Sequence, residues 1–287
     1  MKRFFLIRIL FLVSAFMVGS LSTCYAEETY SQLLYECVQK SSGNLLQNKE
    51  KIVKSFSAIL VKDGYSEEMA RQKSSTYFDE VIVKDYLEWI ETMYKPVMSE
   101  QDLKNVLDFY HGDAGKLALE HSDVYNGEEA QAKIQIVLTP NVMKIALGEK
   151  PEKVKSTLPK SYQKLFQEYC ELSGLDETID VLIKQIISIS AMGEDEKFKK
   201  ELVKYMTDNL GTLMMEVGYP TMTENDFNAM MNFYKTPSGK RLKEVSSSVA
   251  KEIMKFSLSM VMKFSMAQKE WEKEDVPADS VIIKTVD

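Results

Sequence analysis

Apolar residues recur along most of the chain at intervals of three and four, the period of a helix with one face turned inward. Leu103, Val106, Leu107 and Tyr110 form one such stripe, and Phe227, Met230, Met231 and Tyr234 form another. The longest runs Leu242, Val245, Val249, Ile253, Phe256, Met260, Phe264, Ala267 and Trp271. The spacing predicts helices over 28–41, 45–62, 66–94, 100–110 and 113–125, then over 160–172, 175–191, 195–217, 224–234 and 237–273. At ~1.5 Å per residue the last of these would exceed about 50 Å. The segment 126–159, punctuated by Asn126-Gly127, Pro140, Pro151 and Pro159, reads as a junction, with helix on either side of Pro140 where Ile134, Val137 and Leu138 keep the spacing. The expected fold is all-α: a helical bundle with a long C-terminal helix.

Part of this pattern occurs twice. At an offset of 124, residues 96–116 align with 220–240, and eight of the 21 positions are identical: Pro, Met, Glu, Asp, Phe, Tyr, Gly and Lys. About one identity would arise by chance, so the match reads as an internal repeat. Upstream, Tyr30, Leu33 and Glu36 answer Tyr162, Leu165 and Glu168. Ser99 and Thr223 read as N-caps with Asp102 and Asp226 three residues on, the spacing of a capping box. Met98 with Leu103, and Met222 with Phe227, stand where a hydrophobic staple would. Phe109-Tyr110 and Phe233-Tyr234 close the two helices. Thr236-Pro237 then supplies a cap and a first-turn proline that start the next helix at a sharp angle. Gly115 and Gly239 fall in the first turn of that next helix, where a missing side chain lets a neighbour approach closely. The expected organisation is a signal peptide over 1–26, helical repeat A over 27–125, a junction over 126–159, helical repeat B over 160–274 and a loose tail over 275–287.

The N-terminus supplies the compartment. Met1–Arg8 carries three basic residues, and Ile9–Leu21 is an apolar run of 13 without a charge. That is too short for a comfortable membrane span of ~20 residues and suits the hydrophobic region of an export signal. Cys24-Tyr25-Ala26 places small residues at −3 and −1 of a cleavage site between Ala26 and Glu27. Leu21-Ser22-Thr23-Cys24 resembles a lipobox as well, so a lipoprotein anchored at Cys24 is the rival. Both readings put the folded part outside the cytoplasm, periplasmic or secreted. Of 36 basic and 43 acidic residues the signal takes Lys2, Arg3 and Arg8, leaving 33 against 43, a net charge of −10. Such a balance repels phosphate backbones and argues against nucleic acid as a partner. Only 12 of 287 residues are Gly, and few positions then demand a positive φ, in keeping with helix throughout.

The string Phe233-Tyr234-Lys235-Thr236-Pro237-Ser238-Gly239-Lys240, preceded by the Thr223-Glu224 helix start, resembles the signature of the bacterial family called domain of unknown function 2059. The family's upstream segment is matched by Leu165-Phe166 through Leu172-Ser173-Gly174-Leu175. In the first copy His111-Gly112-Asp113-Ala114 replaces Lys235-Thr236-Pro237-Ser238, and the likeness there rests on the Phe-Tyr and Gly-Lys frame. The resemblance implies an exported, all-helical protein and brings no activity, cofactor or catalytic residue.

Candidate chemistry is sparse. His111 and His121, with Asp113, Glu120 and Asp123, offer nitrogen and oxygen ligands in one stretch, but the other copy replaces both histidines with Lys235 and Val245. No HExxH or paired-cysteine pattern accompanies them, so no metal is expected. Ser161-Tyr-Gln-Lys164 fits a Ser-x-x-Lys string whose partner motifs are missing. Gly-Lys at 115 and 239 lacks phosphate-loop spacing. Cys37 and Cys170, on the first helix of each copy, are candidates for a disulfide, with two unpaired buried thiols as the alternative. Of 17 methionines, 11 lie between Met192 and Met266, either as flexible core filler or as a pliable surface for a partner. The stretch Phe256–Met266 is apolar nearly all round, which fits burial on several sides or an interaction surface, interfacial membrane contact included. No catalytic residue, cofactor or enzyme activity is expected. The expectation is a noncovalent binding or interaction module of the cell envelope, with a protein or apolar-ligand partner. The alternatives are an envelope hydrolase or metal-binding protein with an unrecognised site, and a purely structural envelope protein.

Overall fold

A computed structural model of the chain describes residues 29–40, 45–126, 128–190, 195–218 and 222–274. The proposed cleavage site at Ala26 and Glu27, Cys24, Pro220 and the tail 275–287 lie outside them. The protein is all-α, with no strand among the described residues. In chain order the helices are α1 (Tyr30–Lys40), α2 (Lys49–Lys62), α3 (Glu67–Tyr77), α4 (Val83–Tyr94), α5 (Glu100–His111), α6 (Asp113–Asn126), α7 (Glu128–Ala146), α8 (Lys160–Ser173), α9 (Leu175–Ser190), α10 (Glu196–Gly218), α11 (Glu224–Tyr234) and α12 (Pro237–Glu274). A 3-10 turn, Leu45–Asn48, precedes α2.

Two expected elements differ. The helix predicted over 66–94 is interrupted by a π-helical turn, Phe78–Ile82, between α3 and α4. Phe78, Ile82, Tyr86, Ile90 and Tyr94 are all buried at strict intervals of four. On an α-helix that interval drifts about 40° per step, and the wider turn takes up part of the drift. In the junction, α7 runs through Pro140 as one helix. Proline removes a donor from the ladder. The next residue, Asn141, is buried, donates its side-chain amide to the Val137 carbonyl at 2.9 Å and accepts the Glu152 amide at 2.7 Å. After α7 the chain continues without regular structure and is pinned to α10. There the Val154 amide donates to Asn209 Oδ1 at 2.8 Å, and Ser156 Oγ and the Thr157 amide donate to Glu216 Oε1 at 2.6 and 2.8 Å.

The chain separates into two compact units, each drawn from two separate stretches of sequence. The larger takes the described residues between 29 and 48 and between 86 and 251, and within it α1 packs on α5 as α8 packs on α11. One of its cores joins Tyr162, Phe166 and Cys170 of α8 to Met215 of α10, Met222, and Phe227, Met230 and Met231 of α11. A second joins Ile145 of α7 with Ile183 and Ile187 of α9 and Leu202, Tyr205 and Met206 of α10. The smaller unit takes residues 49–85 and 252–274. In it Phe56 stacks on Phe264 with centroids 4.0 Å apart, and Tyr77 and Trp271 meet that ring edge-on at 5.3 and 5.8 Å.

Candidate functional site

In the larger unit the two signature hairpins, α5–α6 and α11–α12, are built alike at their corners. Ser99 Oγ accepts the Asp102 amide at 3.3 Å while Asp102 Oδ2 accepts the Ser99 amide at 2.9 Å. Thr223 and Asp226 make the same reciprocal pair at 3.3 and 2.6 Å. Met98 and Met222 are buried, and Leu103 and Phe227 are completely so. A methyl group on Gly115 would run into the Phe109 carbonyl and the Tyr110 Cα, and one on Gly239 into the Phe233 carbonyl and the Tyr234 Cα. Each glycine therefore lets its helix start directly against the last turn of the helix before it. Pro237 opens α12 at its first position.

The hairpins meet through their equivalent phenylalanines: Phe109 and Phe233 stack at 4.0 Å with planes 9° apart. Beside this stack lies a polar network. Asp102 Oδ1 accepts from the Ser238 hydroxyl at 2.8 Å and from Arg241 Nη1 at 2.5 Å, and Asn105 Nδ2 donates to Ser238 Oγ at 3.0 Å. Asp102 is 4% exposed. Its burial would raise the carboxyl's pKa, but hydrogen bonds from the Ser99 hydroxyl and amide, Ser238 and Arg241 outweigh that and hold it at about 2. Asn105, Ser238 and Arg241 did not stand out in the sequence, because none of them is identical between the two aligned stretches. At the same offset they correspond to Ala229, Ala114 and Leu117. The signal was there as a departure: at three aligned positions one stretch is polar and the other apolar, Asn105 against Ala229 on one side and Ser238 and Arg241 against Ala114 and Leu117 on the other. An open cleft of about 470 Å³ runs along this network, lined by Ser99, Asp102, Asn105, Ser238 and Arg241 among others. Within it the Asp102 carboxylate is engaged by Arg241, and Asp108 also lines it.

The cysteines are a correction to the disulfide candidacy. Cys37 and Cys170 are both free and buried. Each faces the partner helix of its own copy: Cys37 Sγ donates to the Leu103 carbonyl on α5 at 3.4 Å, and Cys170 packs with Phe227, Met230 and Met231. Burial pushes both thiols up, Cys170 to about 12, so neither is a ready thiolate. Around Cys37, burial likewise raises the phenols of Tyr30, Tyr94, Tyr110 and Tyr234. Tyr30 and Tyr234 are held at about 12, the latter despite a hydrogen bond with Tyr169.

His111 is exposed, with Nε2 3.8 Å from Glu36 Oε1. No group of three His, Cys, Asp or Glu side chains with metal-holding geometry occurs among the described residues. The His121 and Asp123 side chains lie outside them.

The methionines divide. Met206, Met215, Met222, Met230, Met231 and Met260 are core. Met262 and Met266 are 68% and 65% exposed, and Leu258 and Val261 about half exposed. All four lie on the part of α12 that belongs to the smaller unit, whose opposite face buries Met260 and Phe264. Leu258, Met262 and Met266 stand one above another at intervals of four, an apolar ridge turned to solvent. No described helix is long and apolar enough to cross a membrane.

No family model, curated protein or solved structure matches the chain.

Proposed function

We propose that this chain is an exported binding module of the cell envelope, acting by noncovalent contact through the exposed face of α12. The observation that carries the reading is the ridge Leu258, Met262 and Met266 with Val261 beside it, exposed on a helix whose other face buries Met260 and Phe264. Leaving large apolar side chains in water in one contiguous row forgoes burial worth roughly 1.5–3 kcal/mol for each. Rows of this kind mark surfaces that something else covers. Methionine suits an adaptable contact, since its unbranched thioether fits partners of differing shape. The resemblance of the signature to an exported family and the leader-like residues 1–26 support the envelope location. The two signature hairpins read as copies of one ancestral unit, which on this view form the scaffold.

The test is a photo-crosslinking residue placed at position 262, compared with the same residue at exposed Lys54. Irradiation of cells producing the full chain is expected to give adducts, to protein or lipid, from position 262 and not from 54. Equal labelling from both positions, or none from 262, would overturn the reading.

A further inference from the structure

The ridge on α12 carries charge at both of its ends. With about 100° between successive residues, Leu258, Met262 and Met266 fall within about 40° of one line along the helix, and Lys255 and Lys269 fall within about 20° of the same line. Lys255 is exposed and reaches sideways to Glu252 at 2.8 Å, and Lys269 is exposed. Lys263, about 100° away, is paired with Asp85 at 2.7 Å, and Glu270 stands about 80° off the line. The outermost line of the helix therefore reads lysine, apolar, apolar, apolar, lysine, on a chain that is acidic overall.

This order discriminates among occupants. A second copy laid antiparallel on the face and centred on Met262 would set Lys255 of each chain against Lys269 of the other, so like charges would meet at both ends. A protein partner fares poorly on area. Four side chains at half to two-thirds exposure supply a few hundred Å², short of the ~800 Å² per partner that a stable protein interface buries. An anionic lipid surface meets both conditions: it needs no matching shape, takes apolar side chains at the boundary of headgroup and acyl chain, and presents phosphates to the flanking lysines.

Resting on the binding reading above, we propose that the occupant of this face is an anionic lipid surface, with Leu258, Met262 and Met266 dipping into the interface and Lys255 and Lys269 held at headgroup phosphates. Contact is peripheral and salt-sensitive, because the apolar ridge is only about three helical turns long and the lysines supply the attraction.

The experiment is co-sedimentation of the mature full chain with vesicles of phosphatidylglycerol and phosphatidylcholine, against vesicles of phosphatidylcholine alone. Binding is expected to the anionic vesicles only and to fall as salt rises. Lys255→Glu and Lys269→Glu should each weaken it at least about fivefold, and Met262→Ser should weaken it without changing its salt dependence. All three positions are exposed, and an unchanged circular dichroism melt shows that each variant folds. Equal binding to neutral vesicles, or no binding to either, overturns the lipid assignment. If position 262 still crosslinks in cells while vesicles are not bound, the binding module stands and its occupant is a protein. If neither occurs, both readings fall.

Discussion

The hairpins α5–α6 and α11–α12 share their corners and differ along their seam. What recurs is what sets backbone geometry: a capping box, a buried methionine before it, a Phe-Tyr pair at the end and a glycine where the next helix begins. What does not recur is the use made of the surface beside the stacked phenylalanines. At one end of the seam Asp102 accepts from Ser238 and Arg241, with Asn105 donating to Ser238, while among the described residues Asp226 bonds only to its own cap, Thr223. Local geometry tolerates little change in either copy.

That comparison can be broken most sharply at the glycines. Gly115→Ala and Gly239→Ala should each destabilise by about 3 kcal/mol, because the added methyl meets main chain that cannot swing aside. Urea unfolding of both variants would check this, and a cost confined to one would show that the corners are not equivalent. Next, Asp102→Ala should cost about 3 kcal/mol against about 1 for Asp226→Ala. Both lose a cap, and only the first also strands Arg241 and Ser238. Equal costs in parallel melts would remove the seam network from the account.

Acid should expose the same difference. The folded-state pKa of Asp102 lies below that of an unfolded aspartate, so its contribution is complete above about pH 4 and is lost as pH falls through about 2. It amounts to about 2 kcal/mol, and Asp102→Asn should flatten the stability profile across that window. The smallest effect expected is from transplanting the network. Ala229→Asn, Ala114→Ser and Leu117→Arg together should change stability by no more than about 1 kcal/mol in urea unfolding, and a larger gain would show that the seam contact can be carried at Asp226 as well.

The sequence disclosed the fold wherever the determinants were local. Both capping boxes, the helix starts at Glu100, Glu224 and Pro237, and the glycine corners follow from residues within a few positions of one another. It missed the π-helical turn at Phe78–Ile82, because an interval of four looks helical until its drift is summed over several turns. The uninterrupted α7 carries Pro140 in its interior, where a proline count alone predicts a break. Of the candidate site, the apolar stretch Phe256–Met266 was visible as ambiguous. Which of its residues are exposed became clear only once Phe56, Tyr77 and Trp271 had taken Phe264. Arg241, 139 residues from Asp102, gave no local sign at all.

The two sealed thiols also make a gauge of the molecule's breathing. Cys37 on α1 sits against α5 and Cys170 on α8 sits against α11, so an alkylating reagent gains access to each only when that helix pair parts. Timing the two modifications separately by mass spectrometry would follow the parting of α1 from α5 and of α8 from α11 in the unaltered protein.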